Sequence, residues 1–214
     1  MPVLEELRQA VVDGQAKAAV ARATQGLEEG IPAEVLLRDG LISAMQEVGR
    51  LFEEGEIFVP EMLVSARAMN ATLVVLKPLL ATEGSEARSE GKVVIGTVQG
   101  DLHEIGKNLV AIMLEGSGFE VVDLGTDVSP ERFLEAAEAG ADVVAMSALL
   151  TTTMTNMKAV VEALGRAGLR DKVRIIVGGA PITDRFASEI GADGYAPDAS
   201  KAVRKVRELL AVKA

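Results

Sequence analysis

Histidine occurs once in this sequence of 214 residues, and cysteine not at all. The single imidazole, His103, follows Asp101 by two positions in Gly96-Thr97-Val98-Gln99-Gly100-Asp101-Leu102-His103-Glu104-Ile105-Gly106. An imidazole with a carboxylate near enough to accept its Nδ1 proton is a ligand poised for one metal. One histidine without cysteine cannot hold zinc in the usual way, which takes three or four protein ligands. A metal bound at His103 must therefore arrive with most of its ligands already supplied, as in a macrocycle such as haem or corrin. A lone histidine ahead of a helix is also compatible with a surface position behind an Asp101 N-cap. Gly100 and Gly106 leave room for something large to approach the backbone.

The elements that must position this loop show in the periodicity. From residue 92 onward, short β-branched runs alternate with stretches of helical length. The runs are Val93-Val94-Ile95, Glu120-Val121-Val122, Val143-Val144-Ala145, Val173-Arg174-Ile175-Ile176-Val177 and a weaker Gly194-Tyr195-Ala196. Helices are expected around 104–117, 129–139, 154–167, 182–189 and 199–212. This alternation predicts a doubly wound parallel five-stranded α/β sheet, whose ligands sit beyond the carboxyl ends of the strands. His103 follows the first strand and is therefore in the right place. Residues 1–82 read instead as a four-helix bundle. Val35, Leu36, Leu41, Met45 and Val48 recur at helical spacing, and Gly14, Gly30 with Pro32, and Gly55 punctuate the run. Pro60 suits a helix's first turn. Residues 83–91 are small and polar and read as a linker to the second domain, 92–214.

Composition narrows the function further. Without cysteine there are no disulfides, thiolate zinc sites, iron–sulfur clusters or cysteine nucleophile. Aromatics are 3% of the chain, so the core falls to Val, Leu, Ile, Ala and Met, with Met62, Met69, Met113 and Met146 as filler. The net charge is −10, with 15 acidic against 8 basic side chains in residues 1–90 and 17 against 14 beyond. Neither half offers the basic footprint of a nucleic-acid binder. No uninterrupted apolar run reaches the roughly 18 residues of a membrane helix, and the N-terminus lacks the basic start of a signal peptide. A cytoplasmic protein is expected.

Three segments at three successive strand ends resemble one family. Asp101-Leu102-His103-Glu104-Ile105-Gly106 is similar to the Asp-x-His-x-x-Gly signature of the B12-binding domain, shared by methionine synthase, some cobalamin-dependent mutases and small corrinoid proteins. Ser147-Ala148-Leu149-Leu150-Thr151 resembles that family's Ser-x-Leu-x-Thr, and Gly178-Gly179-Ala180-Pro181 its Gly-Gly loop. The helical half resembles the bundle that precedes this domain in methionine synthase and the corrinoid proteins. The resemblance implies a flavodoxin- or Rossmann-like domain that binds cobalamin or a related corrinoid. His103 is then the lower axial cobalt ligand, held by Asp101, with Thr153 where the family often has a serine bonded to that aspartate. Gly100, Gly106, Gly178 and Gly179 line the channel for the nucleotide tail, and Ser147, Leu149, Thr151 and Tyr195 contact it. Phe52 and Val59 match positions over the upper corrin face, Val59 being smaller than the usual leucine. Bundle core is the competing reading of that pair, as a strand-to-helix turn is for Gly178-Gly179 and a helix cap for Ser147.

The resemblance further implies a methyl carrier rather than a complete enzyme. A substrate-specific methyltransferase loads the methyl group from a small molecule, and a second methyltransferase passes it to tetrahydrofolate or coenzyme M. A reductive activator rescues Co(II). The axial imidazole is released and retaken on turnover through the chain His103–Asp101–Thr153. A cobalamin-dependent sensor is the alternative, although the acidic N-terminal half does not suit a DNA-binding output. A cobalamin mutase subunit is a minor option. A nicotinamide-dependent dehydrogenase would need Gly-x-Gly-x-x-Gly, and Gly96, Gly100 and Gly106 have the wrong spacing. A phosphate-accepting regulator would need a lysine after the last strand, where Ala196-Pro197-Asp198 stands.

Overall fold

A computed structural model describes residues 2–82 and 89–211. The chain separates into two compact units, Met1–Ser89 with Gly116–Gly118, and Glu90–Glu115 with Phe119–Ala214. Of the expected linker, residues 83–88 lie outside the described residues.

The first unit is helical, as expected. Helices α1 (Pro2–Val12), α2 (Ala16–Glu28), α3 (Ala33–Val35), α4 (Ser43–Glu53) and α5 (Val59–Thr82) build it, with a π-helical segment, Leu36–Ile42, joining α3 to α4. Turns fall at Gly14, Gly30 and Gly55, whose φ values of 68, 81 and 74° suit glycine best. Leu7, Val11, Leu36, Leu41, Met45, Val48, Met62, Met69 and Leu76 fill its core. The π segment was not anticipated, yet it left a trace. The buried pair Leu36 and Leu41 is spaced by five residues, a wider step than an α-helical stripe takes. Gly40 lies within it, where an added Cβ would come 2.6 Å from Leu7 Cδ2.

Helix α5 continues through Pro78 to Thr82, up to the start of the polar stretch. By length and mean hydropathy (1.3), its Val59–Leu80 portion suffices to cross a membrane. Counting uninterrupted apolar runs overlooked it, because Glu61, Arg67 and Lys77 break the run. Its apolarity has a use within the unit, since Met62, Ala66, Ala68, Met69, Leu76 and Leu80 are buried and α5 packs against α1, α2 and α4.

The second unit carries β1 (Lys92–Thr97), β2 (Glu120–Asp123), β3 (Val143–Ser147), β4 (Arg174–Gly178) and β5 (Gly194–Tyr195), all parallel in the order β2-β1-β3-β4-β5. Helices α6 (Ile105–Gly116), α7 (Pro130–Glu138), α8 (Asn156–Arg166), α9 (Asp184–Ile190) and α10 (Ala199–Ala211) connect or follow them. Every residue of β1 after Lys92 is buried, as a strand covered on both faces requires. The core is Val94, Val144, Met146, Ile175, Val177, Met157, Leu164 and Ile182, with one aromatic the composition had discounted, Phe133. Gly96 makes space for it, since a Cβ there would stand 2.9 Å from Phe133 Cζ.

Helix ends carry ordinary signals. Ser129 caps α7 ahead of Pro130, and Thr183 caps α9 by accepting from the Phe186 N–H. Gly191 closes α9 in the left-handed conformation, φ 80°. Its missing Cβ would meet only Val161 Cγ1, at an ordinary 3.7 Å. Gly191→Ala is therefore expected to destabilise the protein by about 1 kcal/mol through the backbone alone, read by urea unfolding.

The chain leaves β1 for β2 on one side and then crosses to β3 on the other, so β1 and β3 flank the topological switch point. Thr97, Ser147 and Gly178 stand in register across β1, β3 and β4 at their carboxyl ends.

Candidate functional site

The loop after β1 brings His103 to that crevice, and the fold spends a buried carboxylate on holding it. Asp101 is fully buried. Its Oδ1 accepts from His103 Nδ1 at 2.7 Å and from the His103 backbone N–H at 3.1 Å. Its Oδ2 accepts from the Thr153 hydroxyl at 2.7 Å and from the Leu149 N–H at 2.8 Å. Thr97, buried at the end of β1, donates its hydroxyl to the His103 carbonyl at 2.8 Å. The Asp101–His103–Thr153 constellation thus assembles from the β1 loop and the segment ahead of α8.

Burial alone pushes the Asp101 carboxyl up. The Thr153 hydroxyl, the Leu149 N–H and both His103 donors outweigh it and hold the group well below the usual carboxylate range. Asp101 is thus ionised at neutral pH and can only accept, so Nδ1 of His103 must carry a proton and Nε2 of the neutral ring keeps the free lone pair. A carboxylate whose folded pKa is depressed stabilises the fold above its unfolded pKa and loses that contribution as pH falls through the folded one. Asp101→Asn is expected to cost the corrinoid-free protein about 2–3 kcal/mol at neutral pH. The gap to wild type should narrow as pH drops below about 4, where unfolded aspartate protonates. Unfolding curves across acid pH check this.

The segments that carry and anchor the imidazole expose several large apolar side chains. The His103 side chain is 52% exposed. Near it in sequence or hydrogen bonding stand Leu102, 73% exposed, and Ile105, 83%, with Leu149 and Leu150 at 42% and 43%. Gly106, in the first turn of α6, has nothing within 4 Å of where a Cβ would be. Among the described residues no group of three or more acidic or imidazole side chains is placed to hold a bare ion. One free imidazole nitrogen, on segments that leave leucine and isoleucine uncovered, fits a metal that brings its own equatorial ligands inside a large, partly apolar ring. The residues present fit a corrinoid.

The other expected site residues are distributed as follows. Gly100 is in the loop itself at φ 81°, its Cβ position 3.6 Å from Thr153 Cγ2. Ser147 ends β3 half-buried, Thr151 is exposed in the turn ahead of α8, and Tyr195 pairs with Val177 on β5. Gly178 and Gly179 close β4, but the protein itself already demands glycine there. A Cβ on Gly178 would lie 2.9 Å from the Ala196 carbonyl oxygen, and one on Gly179 1.9 Å from that of Ala148. Phe52, near the end of α4, and Val59, opening α5, are half-buried residues of the helical unit.

Sequence reasoning missed Lys107. It is 2% exposed, and its ammonium donates to Asn108 Oδ1 at 2.6 Å and to the Asp123 carboxylate at the end of β2. The available signal was a cation inside the apolar helix Ile105-Gly106-Lys107-Asn108-Leu109-Val110-Ala111-Ile112-Met113, which has to find a partner.

Residues 91–204 match a family model described as the B12 binding domain, and residues 3–77 match a second model of the same description. The chain belongs to the B12-binding corrinoid proteins. This corrinoid protein is 45% identical over 210 residues to dimethylamine corrinoid protein 1 of Methanosarcina acetivorans, covering 98% of each chain. It is 42% identical over 212 residues to a corrinoid protein of Desulfitobacterium hafniense, again covering 98% of each. Its structure matches that of the methanol:cobalamin methyltransferase complex from Methanosarcina barkeri with a TM-score of 0.88 at 31% identity, over 98% of this chain and 80% of that one. Its cofactor is cobalamin or a related corrinoid.

Proposed function

We propose that this corrinoid protein carries a methyl group on cobalt, loaded from a small-molecule donor by one partner methyltransferase and handed to a second for transfer to tetrahydrofolate or coenzyme M. A reductive activator returns oxidised cofactor to use, and the system works in the cytoplasm. The observation that carries this reading is the half-exposed His103 imidazole, anchored at Nδ1 by buried Asp101, with exposed Leu102 and Ile105 on its own loop and helix and exposed Leu149 and Leu150 in the segment that also holds Asp101. Relatives whose names tie them to dimethylamine and to a methanol:cobalamin methyltransferase complex support this reading.

When bound, the corrinoid supplies the cobalt that takes up and releases the methyl group. The residues around it do the rest. His103 would offer Nε2 to the cobalt. Asp101 keeps the proton on Nδ1 and the ring in place, and Thr153 holds Asp101 from behind through its hydroxyl proton. Gly100, Gly106, Gly178 and Gly179 would leave room for the nucleotide tail, which Ser147, Leu149, Thr151 and Tyr195 would contact. Phe52 and Val59, from the helical cap, 1–82, which precedes the corrinoid-binding domain, 92–214, would contribute to covering the cofactor.

Reconstitution with hydroxocobalamin, followed by methyl-transfer assays with separated transferases, tests the proposal. Methylamines, methanol, glycine betaine and methoxylated aromatics are the donors to try. Transfer that requires both a loading and an accepting transferase is expected. A chain that binds the corrinoid yet accepts methyl from none of these donors, while shifting a specific promoter DNA, would be a sensor instead.

A further inference from the structure

The turn that delivers Asp101 and His103 is gripped from outside. The Asp101 N–H donates to the Val98 carbonyl at 3.1 Å, closing a turn over Val98-Gln99-Gly100-Asp101. Gly100 has φ 81° and Gln99 is not among the residues of positive φ, which makes this a type II turn with glycine at its third position. Type II and type I turns differ by a rotation of the central peptide, here the carbonyl of Gln99 and the N–H of Gly100. Neither group is used by the turn's own hydrogen bond. Both are held by side chains from distant segments. Asn156, the first residue of α8, donates from Nδ2 to the Gln99 carbonyl at 2.7 Å. Asp127, in the loop after β2, accepts the Gly100 N–H on Oδ1 at 2.7 Å.

Asp127 grips the loop twice, because its own N–H donates to the Asp101 carbonyl at 3.0 Å. To do so it adopts φ 55°, and among the described residues it is the one non-glycine with positive φ. Aspartate tolerates that conformation better than most residues but still at some cost, so the fold is spending strain on this contact. We infer that Asp127 and Asn156 form a clamp on the Gln99–Gly100 peptide, as positioning residues that lock the turn and thereby hold the Asp101 carboxylate against Nδ1 of His103. This inference rests on His103 being the axial ligand. It adds to the Asp101–Thr153 chain a pair of residues that touch neither the imidazole nor the Asp101 carboxylate.

Three variants of the full chain separate the clamp from general loop stability. Asp127→Asn keeps an acceptor and tolerates positive φ. Asp127→Gly keeps the backbone freedom and loses the acceptor. Asn156→Asp keeps the shape and replaces the donor with a charge facing a carbonyl. In corrinoid-free protein, the Gly100 amide is expected to exchange about tenfold faster in Asp127→Gly and Asn156→Asp, and as in wild type in Asp127→Asn. After loading with hydroxocobalamin and reduction, the paramagnetic spectrum should show less axial nitrogen coupling in the same two variants and full coupling in Asp127→Asn. Unchanged exchange, or faster exchange with coupling fully retained, would overturn the clamp. Absence of histidine coupling in the wild type itself would remove the axial-ligand reading and this inference with it, and the exchange data on corrinoid-free protein would tell the two failures apart.

Discussion

Replacing His103 by alanine is expected to remove the axial nitrogen from bound corrinoid and to weaken corrinoid binding by about 100-fold. Loss of a partner behind a metal ligand commonly costs 10–100-fold, and loss of the ligand itself sits at or beyond the upper end. The fold should survive. The ring is 52% exposed, so its removal leaves no core cavity. What the apo protein loses is one charge-assisted hydrogen bond to Asp101, about 1.5–3 kcal/mol. Methyl transfer should fall with the coordination, and free imidazole added to the alanine variant should restore part of both. Absorption spectra of the loaded variant, titrated with corrinoid and then imidazole, read each effect. A variant that binds corrinoid as tightly as wild type with an unchanged cobalt spectrum would contradict the role given to His103.

Gly179→Ala is the substitution expected to harm the fold most. Its φ of 127° lies where side chains are rarely found, and the new Cβ would stand 1.9 Å from the Ala148 carbonyl oxygen. The obstacle is backbone at the end of β3, with no side chain to swing away. The neighbouring Leu149 N–H is one of the donors holding Asp101, so any shift of this loop reaches the site. A loss of about 4 kcal/mol or more is expected, a large part of a domain's total stability. Gly106→Ala makes the contrast. Its Cβ meets nothing within 4 Å and the position is helical, so corrinoid-free stability should hold or rise by up to about 1 kcal/mol. Corrinoid affinity should nevertheless drop if the cofactor's tail passes there. Paired thermal melts and corrinoid titrations of the two alanine variants distinguish a glycine the fold needs from one the ligand needs.

That contrast also shows where sequence reading reached and where it stopped. The alternating periods of the second half specify the parallel sheet, and the rule of strand carboxyl ends directs attention to the loop that carries His103. Asp101 and Thr153 could be proposed because their segments carry a family pattern. Gly178 and Gly179 stand out in the sequence as a Gly-Gly pair at a strand end, and the folded backbone adds that the Ala196 and Ala148 carbonyls already exclude a Cβ there. Asp127 and Asn156 escaped notice altogether. They reach the turn across 27 and 57 residues of sequence, and neither the positive φ of an aspartate nor a side-chain amide aimed at a carbonyl leaves any periodic mark. Lys107 was hidden by the apolar stripe that surrounds it.

The central claim is a bond between Nε2 of one histidine and a corrinoid cobalt. Protein grown with ¹⁵N-histidine, loaded with natural-abundance hydroxocobalamin and reduced to the paramagnetic state, tests it in a single spectrum. His103 is the sole histidine, so any ¹⁵N coupling reports on it alone. The account predicts that the three-line nitrogen splitting of unlabelled protein collapses to two lines on labelling. A three-line pattern indifferent to the label would mean that the cofactor's own base holds the cobalt, and the assignment of His103 would be wrong.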